Sequence, residues 1–289
     1  MRMSGTCKPR LALIAIAVWI GASAVSAAAP ALEDLLARIA SRVEDYYRRA
    51  ESIVCLETVT LQALSSSFSP DSFGRVLEYE LRVEWPAAAD GDEAPIANVV
   101  RQLMKINGRT PKPGAEPGCL DPKSISPEPL AFLLPSKRGE YLFSLNEGRR
   151  REPGTFVLDY RSRAPGKPEI TWQGDCVSFD LPGRTKGRVW IDGATHDVLR
   201  VDEQLMGQFD YMLPPERNRM GGSPWWVIER ADSSTRYRRV VFHDPDETVI
   251  LPESIETFQV IRGAGVPRLR ITQKFSNYRR FMTGGRLVK

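Results

Sequence analysis

Residues 77–85 read LEYELRVEW, in which apolar and polar side chains alternate with a period of two. That is the period of a β-strand, where successive side chains point to opposite faces. One face is apolar and the other charged, as in an antiparallel strand with one side in the core and one in water. The apolar positions are Leu77, Tyr79, Leu81, Val83 and Trp85.

Strand patterns continue on both sides of this segment. The clearest hairpin is GRVWIDGATHDVLRVDEQLMG, residues 187–207. There we expect Val189 and Ile191 to share a face with Leu199, Val201 and Leu205. Further strands are predicted at 53–63, 97–106, 140–146, 154–163, 168–173, 176–180, 225–242, 247–261 and 266–279.

Two helices accompany the strands. Residues 31–50 carry apolar side chains every three or four positions, so this amphipathic helix must pack against another element. A short helix is predicted at 127–134. These elements predict an α+β fold, mostly β. We expect a curved antiparallel sheet, a half-barrel of about ten strands, with the N-terminal helix and the short helix packed on it. Residues 30–289 are expected to form a single half-barrel domain.

Residues 1–29 have the pattern of a secretory signal peptide. A basic start is followed by the apolar run 11–20 and then by small residues, and we expect cleavage within 27–30. The predicted location is therefore the periplasm or the outside of the cell, with no transmembrane segment after cleavage. The net charge of +4 falls close to zero once the three basic residues of this segment are removed, so nucleic acid is not an expected partner.

Three cysteines lie after the signal segment, namely Cys55, Cys119 and Cys176. Export permits a disulfide, and the spacing fits no zinc motif. Cys55 lies inside an apolar strand pattern, whereas the other two lie in or beside loops. We therefore favour a Cys119–Cys176 bridge, with three free thiols as the alternative.

The sequence contains none of the common catalytic, cofactor or metal motifs. His196 and His243 are the only histidines, and each lies where a strand is predicted to meet a turn. We therefore predict no catalytic residue, no cofactor and no metal. The aromatic side chains are numerous for a sheet with one buried face, so they form either a plain core or the lining of an apolar cavity. The candidate lining is Leu77, Tyr79, Leu81, Val83, Trp85, Phe132 and Leu133.

The order of several segments resembles that of known proteins. These segments are SIVCLETVTLQ, LEYELRVEW, VVRQLMKINGRTPKP, PEPLAFLLPSKRGEYLF, GRVWIDGATHDVLRVDEQL and ITQKFSNYRRF. They are similar to a group of exported proteins typical of acidobacterial genomes. That group distantly resembles the half-barrel superfamily of LolA-like lipoprotein carriers and RseB-like proteins. The resemblance implies a curved sheet whose concave side is plugged by helices. In the carriers that side accepts acyl chains, and in the RseB-like proteins it is coupled to a partner protein.

The residues and the resemblance together leave two hypotheses of function. The first is an exported, non-enzymatic protein that binds or carries a lipid or another apolar ligand in the half-barrel. The alternative is an envelope protein-interaction or stress-sensing module without ligand transfer, which contacts a protein partner through a sheet edge or through the Pro-rich loop 110–129. A filled core beneath the sheet would count against the carrier.

Overall fold

The structure is a computed structural model that describes residues 31–50, 52–84, 97–112, 114, 118–122, 129–146, 154–218, 223–243 and 246–280. Its helical segments are α1 (Leu32–Arg49), the 3-10 turn η1 (Ala131–Leu133), α2 (Pro135–Arg138) and the 3-10 turn η2 (Pro215–Arg217). The strands are β1 (Ile53–Ala63), β2 (Arg75–Glu84), β3 (Asn98–Ile106), β4 (Tyr141–Leu145), β5 (Thr155–Ser162), β6 (Glu169–Gln173), β7 (Cys176–Asp180), β8 (Thr185–Asp192), β9 (Val198–Leu205), β10 (Phe209–Met212), β11 (Trp225–His243), β12 (Asp246–Arg262) and β13 (Arg268–Arg280).

Eleven strands form one antiparallel sheet. Ten of them follow the order β3-β2-β1-β13-β12-β11-β9-β8-β5-β4, and β10 pairs with the start of β11. Within the described chain, β3 and β4 are the two ends of this path, so the curved sheet is a half-barrel rather than a closed barrel. The predicted fold class is therefore confirmed. The β6–β7 hairpin forms a separate sheet of two strands.

Helix α1 covers the inner face of the sheet, the face that carries Leu81 and Val83. The residues that α1 buries repeat with helical spacing and form one cluster with η1 and the inner side chains of the strands. The clustered residues are Leu35, Leu36, Ile39, Val43, Tyr46 and Tyr47, and α1 also buries Ala40. Among the described residues, no helix is both long enough and apolar enough to cross a membrane.

The short helix predicted at 127–134 is wrong in its bounds. Residues 127 and 128 lie outside the described chain, and this region forms the 3-10 turn η1 and then the single helical turn α2. Leu134 between them is extended, with φ −69° and ψ 150°. The cause is Pro135, because a proline ring clashes with a helical conformation of the residue before it.

The hairpin at 187–207 is present as β8 and β9, with one difference in register. Val189 pairs with Val201, but a bulge between Trp190 and Ile191 brings Ile191 opposite Val198. Val198 rather than Leu199 is therefore buried beside Ile191. One extra residue in a bulge reverses the faces of the residues beyond it.

Gly187 allows β8 to pass close to its neighbours. A Cβ atom at this position would lie 1.9 Å from the carbonyl oxygen of Asp202 and 2.8 Å from the hydroxyl of Tyr160. Tyr160 lies opposite Gly187 on β5. The aromatic ring beside the glycine fills the space that a side chain would otherwise occupy.

We expect Gly187→Ala to lower the free energy of unfolding by about 3 kcal/mol, because the added carbon overlaps backbone that cannot move freely. Gly265→Ala is the matched control, since nothing lies within 4 Å of a Cβ there. Thermal or urea unfolding measures both variants. Equal stability of the two would contradict the close approach at Gly187.

Candidate functional site

The inner face of the sheet is the candidate site, because the predicted lining residues of β2 lie on it and those of η1 pack against the same cluster. Leu81, Val83, Phe132 and Leu133 belong to the large core cluster with α1. Leu77 and Tyr79 belong to a second, smaller cluster, so the structure divides the predicted set in two. Trp85 lies outside the described residues. All six that are described are buried.

Little space lies between the C-terminal end of α1 and the sheet. A cavity of about 20 Å³ lies between the C-terminal end of α1 and strands β1, β2, β12 and β13. A single water molecule needs roughly 10–15 Å³ on this measure, so the cavity has room for about one. Of the predicted lining residues, Leu81 and Val83 contact this space. The other residues around it are Tyr46, Ala50, Ile53, Cys55, Leu251, Pro252, Phe275 and Tyr278.

A buried ion pair lies beside this cavity on the inner face. The Arg101 side chain is 5% exposed and that of Glu57 is 0% exposed, with 2.6 Å between Nε of Arg101 and Oε2 of Glu57. Gln273 donates from Nε2 to Oε1 of Glu57 at 2.8 Å. These three residues come from β3, β1 and β13, so the network joins strands from both ends of the chain. The carboxylate is satisfied by charged and neutral donors, as a buried charge must be.

The sequence analysis missed this pair, although one signal was present. In strand 53–63, Cys55, Glu57 and Val59 occupy alternate positions, so Glu57 falls on the apolar face of its own pattern. Burial raises the pKa of the adjacent Cys55 thiol to about 12, with a further contribution from the Glu57 charge. Cys55 is therefore a buried neutral thiol, as its strand position predicts.

A second polar contact lies farther along the inner face. The Tyr160 hydroxyl donates to Oε2 of Glu203 at 3.2 Å. Burial raises the pKa of Glu203, and the hydrogen bond from Tyr160 opposes this shift. The pKa of Tyr160 is also raised, first by burial and then by the charge of Glu203. The inner face thus carries a second acidic group, the half-buried Glu203, in addition to the buried Glu57.

The Pro-rich loop 110–129 is fixed at two points. The predicted disulfide is confirmed, with Cys119 and Cys176 bonded and their Cα atoms 5.0 Å apart. Asp121 has a side chain only 1% exposed and pairs with Arg75 at 3.0 Å, at the start of β2. We call residues 118–122 the strap. It connects β2 with the β6–β7 hairpin.

The β6–β7 hairpin in turn contacts β10. Trp172 donates from Nε1 to the Tyr211 hydroxyl at 3.3 Å, and the Phe179 and Tyr211 ring centres are 5.4 Å apart. Because β10 pairs with β11, the strap and this hairpin together link β2 with β11. Three strands separate β2 from β11 in the sheet, so this link bridges part of the open half-barrel.

No group of three or more His, Cys, Asp or Glu side chains that could hold a metal ion occurs in the described part of the chain. Each histidine lies where a strand meets a turn, His196 at φ 62° after β8 and His243 at the end of β11. The inner face therefore offers a packed core, one satisfied ion pair and one acidic group bonded to a tyrosine.

No family model matches the sequence, and no curated protein matches it. Two solved structures match the chain in a comparison of folds. One is a LolA superfamily protein from Nitrosomonas europaea, with 11% sequence identity and a TM-score of 0.36, covering 86% of this chain and 94% of that one. The other is the Pseudomonas aeruginosa MucA/MucB complex, with 12% identity and a TM-score of 0.20, covering 84% of this chain and 98% of the matched chain. Identities and scores this low carry no inference about the fold or the function of this chain.

We expect Arg101→Met to lower the free energy of unfolding by about 3–5 kcal/mol, because it leaves the buried Glu57 carboxylate without its cation. Lys105→Met is the matched control on the same strand. Lys105 pairs with Glu78 at an exposed position, so its loss should cost less than about 1 kcal/mol. The double variant Glu57→Leu/Arg101→Met should recover part of the loss. If Arg101→Met and Lys105→Met were equally stable, the buried pair would not hold the strands together.

The Glu203 pKa predicts a pH dependence of stability. The Glu203 carboxyl binds its proton more tightly in the folded state than in the unfolded chain, where its pKa is near 4.5. Stability should therefore fall as the pH rises from about 4.5 through the raised pKa of the folded state. Glu203→Gln stays neutral, so we expect a higher melting temperature than wild type at pH 7, with the difference shrinking toward pH 4. Unfolding followed by circular dichroism at several pH values measures this, and identical curves at pH 7 would contradict the assignment.

Proposed function

We propose that this protein is an exported, non-enzymatic binding protein of the cell envelope that contacts a protein partner outside the inner face of its sheet. The observation that carries the proposal is the close packing of α1 on the sheet, where the cavity at the C-terminal end of α1 holds only about 20 Å³. Sites for small organic ligands generally need about 300–1,000 Å³. The cavity at the C-terminal end of α1 is therefore too small for an acyl chain while α1 keeps its present position.

The charged groups of the inner face support a role in binding rather than catalysis. Glu57 is held by Arg101 and Gln273, so its carboxylate is already satisfied within the fold. Burial keeps Cys55 and Tyr160 in their neutral forms, because it raises the pKa of both. A nucleophile or a general base needs the opposite arrangement, with the reactive form populated near neutral pH and open to a substrate.

The strap offers a surface for the partner. Leu120 is exposed on it, while Cys119 and Asp121 on either side are tied to the β6–β7 hairpin and to β2. A segment fixed on both sides loses little conformational entropy on binding. The export signal expected at residues 1–29 and the disulfide both fit an oxidising compartment outside the cytoplasm.

Site-specific cross-linking in the cells that make the protein tests the proposal. A photo-reactive side chain at Leu120 should trap one defined protein, whereas the same group at Val241, which is also exposed, should not. The trapped protein should disappear when Cys119 and Cys176 are both replaced by Ser, since the strap then loses one of its attachments. The same products from both positions would contradict the proposal.

Binding of an apolar ligand is the second candidate. Its support is the composition of the space beneath α1, which only apolar side chains, Cys55 and two tyrosines surround. It requires α1 or η1 to leave the sheet. Native mass spectrometry of the purified protein, together with titration of a fluorescent fatty acid, decides between the two. We expect no co-purified acyl ligand and no saturable probe binding. A stoichiometric lipid would favour the carrier and overturn the proposal of a closed inner face.

A further inference from the structure

Exposed apolar side chains collect at one end of the half-barrel. Nine large apolar side chains are exposed among the described residues. Five of them lie where the β1–β2, β10–β11 and β12–β13 connections leave the sheet. We call this set the rim, and its members are Phe68, Phe73, Met212, Trp225 and Val266.

Strand pairing places these connections together. Ala63 at the end of β1 pairs with Leu269 at the start of β13, and the Leu64 amide donates to the Arg268 carbonyl at 3.0 Å. These contacts put the β1–β2 connection, which carries Phe68 and Phe73, beside the turn that carries Val266.

The β10–β11 connection lies at the same end. Met212 pairs with Trp225, the first residue of β11. The turn after β12 passes so close to Trp225 that a Cβ on Gly263 would lie 2.5 Å from the Trp225 carbonyl oxygen. The five side chains therefore share one end of the sheet, although they come from three separate connections.

The rim side chains are exposed to different degrees. Phe73 is fully exposed at 104% of its reference area. The ring of Phe68 lies 5.6 Å from that of Phe258, and the Arg268 guanidinium lies over it at 5.9 Å. Exposed apolar side chains with a cation beside an aromatic ring suit the boundary between lipid headgroups and acyl chains. There the apolar groups enter the acyl region, and long cationic side chains stay at the polar surface.

The charges around the rim nearly balance. Within the described chain, no ion pair with a carboxylate involves four cationic side chains near the rim, namely Arg109, Lys112, Arg268 and Arg270. The same holds for three nearby acidic side chains. They are Asp71, Asp210 and Glu216. Attraction to a strongly anionic polymer would need an excess of one sign. The rim thus matches a surface that is apolar below and zwitterionic or weakly anionic above, which describes a phospholipid bilayer.

We propose that the rim docks the protein on a phospholipid membrane surface, with Phe73 and Val266 entering the interface and Arg268 remaining at the phosphate level. This surface is distinct from the inner face and from Leu120, so the inference stands whichever partner those bind. It gives an exported protein a way to stay at a membrane without a spanning segment. Burial of two apolar side chains is enough to change membrane partitioning by a factor of about ten or more.

Flotation of the full mature chain with vesicles tests the proposal. The vesicles are phosphatidylcholine alone, and phosphatidylethanolamine mixed with phosphatidylglycerol. Wild type should float with both, with only a modest loss at high salt. Phe73→Ser/Val266→Ser should bind at least about tenfold more weakly. Val100→Ser/Val241→Ser removes two exposed apolar side chains elsewhere and should bind like wild type. Equal melting temperatures of the three proteins would show that the substitutions leave the fold intact.

A second measurement tests how deeply the rim enters the bilayer. Vesicles with brominated acyl chains should quench part of the tryptophan fluorescence of the wild type. This quenched part should be missing in the Trp225→Phe variant. The proposal is overturned if the wild type does not float with vesicles, or if the rim and control variants bind equally. It is also overturned if binding requires phosphatidylglycerol and is lost at high salt while the rim variant still binds like wild type. Failure of the Leu120 cross-link would leave these outcomes unchanged, so the two proposals are tested separately.

Discussion

Helix α1 packs against the inner face of the sheet and is the largest element that covers it among the described residues, and the rest of the fold depends on this contact. A half-barrel with an apolar inner face would expose that face to water if nothing lay across it. Leu35, Ile39 and Val43 are almost completely buried there. Each such side chain contributes about 1.5–3 kcal/mol when removed from water. The contact that stabilises the half-barrel thus also covers the apolar side chains of its inner face.

The buried Glu57–Arg101 pair places a specific polar contact inside this apolar surface. Removing two charges from water is costly, and a pair of apolar residues of similar size would be at least as stable. The pair does, however, fix which residues of β1 and β3 lie opposite the intervening strand β2. A slip by one residue would turn Glu57 to the outer face and leave Arg101 without its carboxylate. We therefore interpret the pair as a determinant of strand register.

The sequence predicted the regular elements closely, because their periodicity is a local property. The strand predicted at 53–63 is β1 itself, and α1 lies within the predicted 31–50. Three features of the fold were not predicted, because they do not follow from periodicity. Pro135 divided the short helix, a bulge placed Val198 on the inner face, and β10 was too short to show any period. The candidate lining lay on the predicted face, but alternation reports only that a side chain is buried. Whether the space beside it is filled depends on α1 and η1, which lie far from β2 in sequence.

The pairing of β1 with β13 has a consequence for when the protein can fold. The centre of the sheet is built from the two ends of the chain, and the Glu57–Gln273 hydrogen bond spans 216 residues of sequence. Until β13 has emerged, β1 has β2 on one side and an unpaired edge on the other, and α1 lacks half of the surface it covers. Folding dominated by such distant contacts is slow and leaves strand edges open to aggregation. A chain that cannot complete its sheet early stays unfolded while it is being synthesised, which is the state in which a protein can be threaded through a narrow export channel.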